Sequence, residues 1–191
     1  MATMAPSKGL LICMQAEGYA DQLPDGSCRA YWDSIGCVWT IGYGSTGAGI
    51  TSGLIWTHDQ AVARLQQDWD AAQAGVLRAS PILSDPANFN RLDAVTDFAY
   101  NEGIGHYQSA SLRSYINRGD WTSAQAEFPK WDLAGGKVIP GLVTRRSLER
   151  TVFVAPVSSL PVPATVDSTV PTVTWSRLGR QLLALLQVLF Q

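Results

Sequence analysis

Two carboxylates and a hydroxyl group, those of Glu17, Asp33 and Thr40, follow one another in the first quarter of the sequence. Glu17 comes just after an apolar run that predicts a short helix. Asp33 and Thr40 fall in a stretch rich in aromatic and β-branched residues, which predicts strands. Hydrolysis of a glycosidic bond needs one carboxylic acid to protonate the leaving oxygen and one carboxylate to act on water or on the oxocarbenium-like centre. The three residues fit a helix-to-sheet junction that presents such a pair, together with a hydroxyl that could hold the water.

The segment "TIGYGSTG", from Thr40 to Gly47, has the G-x-G-x-x-G spacing of a dinucleotide-binding turn. That turn requires a helix directly after it, because the helix N-terminus binds the pyrophosphate. Here "AGITSGLIWT" follows, which holds turn and strand residues before any helical pattern begins. We therefore interpret Gly42, Gly44 and Gly47 as residues that let the backbone turn tightly in the wall of a polysaccharide cleft.

The hydrophobic pattern of the rest of the chain predicts an α+β fold with its strands segregated from its helices. A first helix is expected over 7–15 and a small antiparallel sheet over 30–56. Thr57 and Gln60 form a predicted capping box for a long helix. Asp85 and Pro86 are expected to cap and begin the next one, and further helices are predicted near 109–117, 121–131 and 141–153.

Five segments in collinear order resemble the phage-type lysozymes, the endolysins of the muramidase family of glycoside hydrolases. They are "AEG" at 16–18, "AYWDSIGCVWTIGYGSTG" at 30–47, "DFAYNEG" at 97–103, "LRSYINRGDW" at 112–121 and "WDLAGGKVIPGLVTRRSLE" at 131–149. The resemblance implies a lysozyme-like fold, with the active site between a small β-lobe and a mainly helical lobe. It also implies an inverting reaction in which Glu17 is the acid and Asp33, helped by Thr40, places the water. The bond cleaved joins N-acetylmuramic acid to N-acetylglucosamine.

Two other aspartates are candidates for the role of second catalytic carboxylate. Asp33 lies 16 positions after Glu17, a wider spacing than is usual in the family, and "ADQLPDGSCR" between them resembles an inserted turn. Asp21 and Asp25 in this turn remain alternatives for the role. On residue type alone, Glu17 is also typical of a solvated helix end and Asp33 of a turn.

Two further departures from the family pattern concern the sheet. Asp33 and Thr40 are seven positions apart, one more than usual, which predicts a β-bulge near Gly36 and Cys37. Ser45 stands where many relatives carry histidine. We therefore expect a rearranged sheet and altered hydrogen bonding around Asp33.

The residues expected to contact the substrate are Tyr43, Ser45, Asn101, Lys137 and Arg145. Asn101 follows an apolar helix, where it lines the cleft or caps the helix end. Lys137 and Arg145 belong to a basic group that either meets the carboxylates of the peptide stems or forms an ordinary charged helix face; its other members are Lys130, Arg146 and Arg150. Most tryptophans are expected in the core, although Trp32 or Trp39 could stack on a sugar.

The composition narrows the range of partners. The 191 residues include 14 basic and 16 acidic side chains, so a net charge of −2 gives no global attraction to nucleic acid. Two histidines and three cysteines occur without the spacing of metal ligands, so we expect no metal and no cofactor. Cys28 and Cys37 are close enough in sequence to pair in an oxidising compartment and are otherwise expected to stay reduced.

The sequence divides into three parts by composition. Residues 1–155 have the mixed composition of a globular catalytic domain, and 156–174 form a linker rich in Pro, Val, Ser and Thr. Residues 175–191 show an amphipathic helical pattern with Arg177 and Arg180 as the charges, too short to span a bilayer. This tail could lie on a membrane surface, pack on the domain or join copies of the chain, and "VLFQ" at its end resembles the remnant of a protease-cleavage tag.

These observations favour an endolysin that cleaves the glycan strands of peptidoglycan and lyses the host cell. Because no secretory signal is evident, we expect a monomer in the host cytoplasm that reaches the periplasm and cell wall by a holin-like route. Two alternatives stay open. One is a lytic transglycosylase that uses Glu17 alone and forms an anhydro sugar, and the other is a peptidoglycan-binding module without catalysis.

Overall fold

The computed structural model describes residues 7–34 and 36–157. The predicted tail, 175–191, and nearly all of the predicted linker lie outside these residues. Short antiparallel strands and a mostly helical body confirm the α+β class. The elements are α1 (Lys8–Glu17), β1 (Cys28–Arg29), β2 (Tyr31–Asp33), β3 (Val38–Thr40), β4 (Ile55–Trp56), α2 (His58–Ala79), α3 (Phe89–Glu102), α4 (Ile104–Ser109), α5 (Ser111–Asn117), α6 (Trp121–Gln125), β5 (Leu133–Ala134), β6 (Lys137–Val138) and α7 (Pro140–Val154).

Side-chain caps define the two helices nearest the candidate site. The Ser7 hydroxyl accepts a hydrogen bond from the backbone of Leu10 at the start of α1, and Gly18, with φ of 70°, ends the helix. The predicted capping box of α2 is confirmed, because Thr57 and Gln60 each bond the other's backbone N–H. The first helix therefore stops at Glu17 because glycine accepts the backbone turn that follows.

Two predictions of local structure were wrong in detail, and two short elements were not predicted. Asp85 and Pro86 begin a 3-10 turn over Pro86–Asn88, and α3 starts only at Phe89. The helix expected over 121–131 is shorter, because α6 ends at Gln125 and a 3-10 turn follows over Phe128–Lys130. The helix α4 and the β5–β6 hairpin were not predicted, since each is too short to show a hydrophobic period.

The β2–β3 hairpin carries Asp33 and Thr40. Its register pairs Tyr31 with Thr40, Trp32 with Trp39 and Asp33 with Val38, without a bulge among these pairs. The extra residue of the sequence lies in the turn, where Cys37 adopts a φ of 51°. The predicted bulge was therefore wrong, because a turn lengthens more easily than a paired strand. Cys28 is buried and Cys37 exposed, and both are free thiols.

Two apolar cores lie on either side of α1. The larger one surrounds α3, whose residues 92–99 are all buried because α1, α2 and α7 pack around it. The smaller one joins the strands to α1 and the first half of α2, through side chains that include Cys28, Ile41, Leu65 and Trp69. Since α1 contributes Ile12 to the larger core and Cys13 to the smaller, its end at Glu17 lies where the two cores meet.

Candidate active site

Glu17 is the last residue of α1, and its side chain is 25% exposed. Its Oε1 atom accepts a hydrogen bond from Nη1 of Arg145 on α7, at 2.8 Å. Arg145 is buried, so this ion pair is shielded from water on the arginine side. The carboxylate is thereby fixed in orientation through one oxygen, while part of the side chain still reaches solvent.

The other oxygen of Glu17, Oε2, faces the glycine-rich segment. A Cβ atom built on Gly44 would lie 3.4 Å from it, and Gly44 itself has a φ of 80° that disfavours any other residue. Gly42, with a φ of 63°, is packed against Ala61, where a Cβ would come within 2.9 Å. The glycines of the dinucleotide-like pattern therefore bring the backbone close to α2 and leave open space beside the Glu17 carboxylate.

Asp33 and Thr40 lie on one face of the β2–β3 hairpin, together with Tyr31. Burial raises the pKa of Tyr31, and the charges of Asp33 and Glu17 raise it further. Tyr31 is therefore close enough to both carboxylates for their charges to act on it. The hydroxyl of Thr40 is buried and donates to the carbonyl of Val38 at a long distance of 3.5 Å.

Asp25 and Asp21, the two alternatives for the second carboxylate, each contact a neighbouring side chain. Asp25 accepts hydrogen bonds from the backbone and the hydroxyl of Ser27, at 2.9 Å and 2.6 Å, and the hydroxyl contact lowers the pKa of Asp25. Asp21 is exposed and lies 3.7 Å from the guanidinium of Arg29. Both residues therefore stabilise the turn before β1, which is the usual function of aspartate in such a segment.

A network of buried charges extends from Glu17 into the helical core. Arg145 binds Asp97 of α3 with two hydrogen bonds, of 3.0 Å and 2.8 Å, in addition to its bond to Glu17. Glu149 on α7 lies 3.8 Å from Arg145 and bonds Arg146. Burial raises the pKa of Glu149, and the charge of Asp97 acts in the same direction. Glu149 therefore releases its proton at a higher pH than a free glutamate does.

The second buried arginine, Arg146, holds the C-terminal end of α3. Its guanidinium donates to the side chain of Asn101, to Glu102 at 2.7 Å and to the carbonyl of Trp131 at 3.0 Å. It also lies over the ring of Phe98, 4.9 Å from the centroid. The charged helix face considered for the basic group was therefore wrong for Arg145 and Arg146, because both are buried and paired.

The other predicted substrate contacts lie in different elements of the fold. Tyr43 is buried and its hydroxyl lies 3.2 Å from Nε2 of His58. Ser45 is buried in a bridge with Ile41, and Lys137 is exposed in the β5–β6 hairpin. Trp32 is 52% exposed and packs edge to face on Trp39, on the hairpin face opposite Asp33. These predicted contacts therefore belong to different elements, and Ser45 adjoins the Gly44 segment that faces Glu17.

Two charged residues at the site were missed from the sequence. Asp97 stands among eight consecutive buried residues of α3, and an unexplained carboxylate in an apolar helix is the signal that could have identified it. Glu149 follows Arg146 by three positions and Arg145 by four, a spacing that brings side chains together on a helix. The doublet of arginines with its glutamate thus indicated an internal ion-pair network.

The geometry can be compared with known proteins. The family model described as Phage lysozyme matches residues 24–149. This chain belongs to the phage lysozyme family. The matched range includes Asp33, Thr40 and Arg145 but begins after Glu17, so the setting of Glu17 rests on the contacts given above.

Relatives and solved structures agree with this assignment. The endolysin of Bacillus phage PZA is 42% identical over 115 residues, which cover 60% of this chain and 43% of that protein. The endolysin of Acyrthosiphon pisum secondary endosymbiont phage 1 is 35% identical over 150 residues, with coverages of 76% and 94%. The structure of an endolysin from Escherichia coli O157:H7 phage FAHEc1 superposes with a TM-score of 0.65 and 26% identity, over 81% of this chain and 95% of that one. This phage lysozyme chain thus spans under half of the Bacillus phage relative, and its lysozyme-like fold is confirmed.

Proposed function

We propose that the protein is an endolysin that hydrolyses the bond between N-acetylmuramic acid and N-acetylglucosamine in bacterial peptidoglycan. The observation that carries the proposal is the asymmetric setting of Glu17. Its Oε1 is held by Arg145, and its Oε2 lies next to the space that Gly44 leaves open. Membership in the phage lysozyme family supports peptidoglycan as the polymer that enters this space.

In this proposal Glu17 is the general acid. A proton on Oε2 passes to the glycosidic oxygen as the bond to the leaving sugar breaks. The positive charge of Arg145, 2.8 Å from Oε1, then stabilises the carboxylate that remains. Asp33 takes a proton from the attacking water, and Thr40 binds that water by exchanging its long bond to Val38 for one to the incoming oxygen. Attack from the face opposite the leaving group inverts the anomeric centre.

The sequence predicted that Arg145 contacts the substrate, but in this proposal it has a different role. Because its guanidinium is buried and already bonds Glu17 and Asp97, it acts as a positioning residue for the acid. Asn101 is similarly held by Arg146, with its side chain half-buried at the end of α3. Lys137 is exposed and stays a candidate contact for the carboxylates of the peptide stems. Tyr43 and Ser45 support the loop that carries Gly44.

Product analysis tests the reaction directly. Purified peptidoglycan is digested in water enriched in oxygen-18, and the muropeptides are weighed by mass spectrometry. Hydrolysis gives reducing muramic acid ends that contain the heavy oxygen. Proton NMR during the first minutes then reports which anomer forms, and inversion is the expected result.

The two alternatives give distinct products. A lytic transglycosylase forms anhydro ends without oxygen from water, and this result would overturn the hydrolytic mechanism. A binding module sediments with peptidoglycan and releases nothing, which would overturn catalysis altogether. Glu17→Gln serves as the negative control for release.

The cellular route is a separate part of the proposal. Among the described helices none is long and apolar enough to cross a membrane. Residence in the host cytoplasm, passage to the cell wall by a holin-like route, lysis of the host and a monomeric state remain predictions from the sequence. Fractionation of infected cells before and after lysis onset tests the route.

A further inference from the structure

A groove of about 450 Å³ lies beside the candidate active site. One end is formed by the loop over Gly44, Ser45 and Thr46, next to Glu17, and the groove continues along α2 toward Arg78. Residues of α2 at positions 64, 68, 71, 75 and 78 line it, which is the spacing of a single helix face. The groove is therefore an elongated surface that leads away from the acid.

The floor of the groove is formed by small residues, and its wall is apolar. Ala71 and Ala72 present almost no side chain, whereas Gly75 is buried against Ile104, which a Cβ on Gly75 would approach within 2.9 Å. Ile104 and Tyr100 supply the apolar wall. A groove floored by Ala71 and Ala72 leaves room for an extended chain with small side groups.

The charges of the groove are unequal at its two ends. Arg64 is already neutralised by Asp68, through two hydrogen bonds of 3.0 Å and 2.9 Å, and also donates to the carbonyl of Thr46. Arg78 is exposed, and among the described residues no carboxylate pairs with it. The end remote from Glu17 thus offers a guanidinium for an incoming anion, in the fork geometry that suits a carboxylate.

We propose that this groove binds the peptide stem of the muramic acid residue at the active site, with Arg78 binding a stem carboxylate. The inference rests on the proposed function for the polymer, but stem binding is measurable without catalysis. The lengths agree: from Asp68 to Arg78, ten residues of helix rise about 15 Å, and four extended peptide residues span about 14 Å. Small alanine side groups fit over Ala71 and Ala72, and acidic groups of the stem meet Arg78.

The test compares two substrates and two arginines. Kinetics are measured on intact peptidoglycan strands and on strands whose stems have been removed by an amidase. Arg78→Gln should lower kcat/KM on intact strands about tenfold, as expected for the loss of one charge-assisted hydrogen bond, and leave the stripped strands unaffected. Ala71→Phe, which fills the floor without changing charge, should act in the same direction. Arg118→Gln is the matched control, because Arg118 is also exposed at a helix end but does not line the groove.

A binding experiment separates this inference from the proposed reaction. A synthetic stem pentapeptide is titrated into the protein labelled with nitrogen-15, and shifts of the amide signals of Gly44 and Gly75 are expected, weakened in Arg78→Gln. Equal losses on intact and stripped strands would show that the groove holds the sugar backbone and would overturn the proposal. The proposal would also be overturned if the pentapeptide shifted neither amide signal and Arg78→Gln did not distinguish intact from stripped strands. A protein that binds the pentapeptide but cleaves neither substrate would refute the proposed hydrolysis and leave stem binding standing.

Discussion

Arg145 and Glu17, 128 positions apart in the sequence, form a hydrogen-bonded ion pair of 2.8 Å. The pair joins α7 to the end of α1, and Asp97 completes it from α3 with two further bonds to the same guanidinium. Three helices therefore converge on one guanidinium, that of Arg145, which holds the Glu17 carboxylate. Their packing fixes the position of the acid more firmly than the end of a single helix could, because a terminal residue alone is free to fray.

Replacement of the acid itself gives the first prediction. Glu17→Gln should lower the rate of peptidoglycan hydrolysis about 10²-fold to 10⁴-fold, since an amide keeps the shape but has no acidic proton. Thermal unfolding and peptidoglycan sedimentation should change little, because the amide oxygen still accepts from Arg145. Glu127→Gln makes the same chemical change at a glutamate that bonds Lys130 and not Arg145, and it should retain full activity. Native activity in Glu17→Gln would assign the acid to another residue.

The second prediction concerns the second carboxylate. Asp33→Asn should reduce hydrolysis far more than Asp21→Asn or Asp25→Asn, because only Asp33 shares the hairpin face with Thr40 and Tyr31. In Asp25→Asn the amide oxygen can still accept from Ser27, so the turn should persist. The three variants are compared by turbidity loss of purified cell walls at equal protein concentration. If Asp25→Asn were the most damaging, the hairpin would have a purpose other than catalysis.

The same residues show what sequence reasoning could and could not provide. Glu17, Asp33 and Thr40 were predicted as site residues from local pattern and family resemblance, and the structure shows the helix end and the hairpin that carry them. The bond from Arg145 to Glu17 left no periodic signal, since it depends on how α7 packs against α1. The strands of the β5–β6 hairpin are too short for a hydrophobic period, but its turn has a signal: Gly135 and Gly136, with φ of 56° and 76°, supply the two left-handed residues of a tight turn.

A third prediction addresses the buried arginine. Arg145→Met should lower the free energy of unfolding by about 3–5 kcal/mol, because Asp97 is fully buried and would lose its partner. Combining it with Asp97→Asn should recover part of that loss, since the unpaired buried charge is then gone. Chemical denaturation of the two single variants and the double variant measures this coupling. Arg150→Met, at an exposed position of the same helix, should stay within about 0.5 kcal/mol of the wild type. Strict additivity of the two site variants would show that the pair is not coupled.

Glu149 gives a prediction about pH. Its pKa is raised in the fold above the ordinary value of 4.5, so the folded state binds more protons than the unfolded state once the pH exceeds that value. Stability should therefore decrease as the pH rises from 4.5 through the folded pKa, and Glu149→Gln should remove this decrease. The difference in unfolding free energy, variant minus wild type, should grow between pH 4.5 and pH 8. A difference that is constant over this range would show that the carboxyl of Glu149 titrates normally.

The last prediction concerns the boundary of the catalytic domain and the tail beyond it. The sequence places the boundary at 155, and the side chain of Asn90 donates to the carbonyls of Ala155 and Pro156, at 3.1 Å and 2.9 Å. Truncation after Val157 keeps both bonds and should preserve the melting temperature and peptidoglycan hydrolysis, whereas truncation after Ala155 loses one bond and should melt slightly lower.

The tail itself is tested by flotation with vesicles. Arg177 and Arg180 beside a row of leucines predict weak binding to an anionic lipid surface, since a short amphipathic helix binds only marginally. The full chain should therefore float with phosphatidylglycerol vesicles more than with phosphatidylcholine vesicles, and the chain truncated after Val157 with neither. Replacing both arginines by glutamine in the full chain should abolish the preference for the anionic lipid. Equal partitioning of the full and truncated chains would exclude membrane binding, and a large loss of thermal stability on truncation would show that the tail packs on the domain.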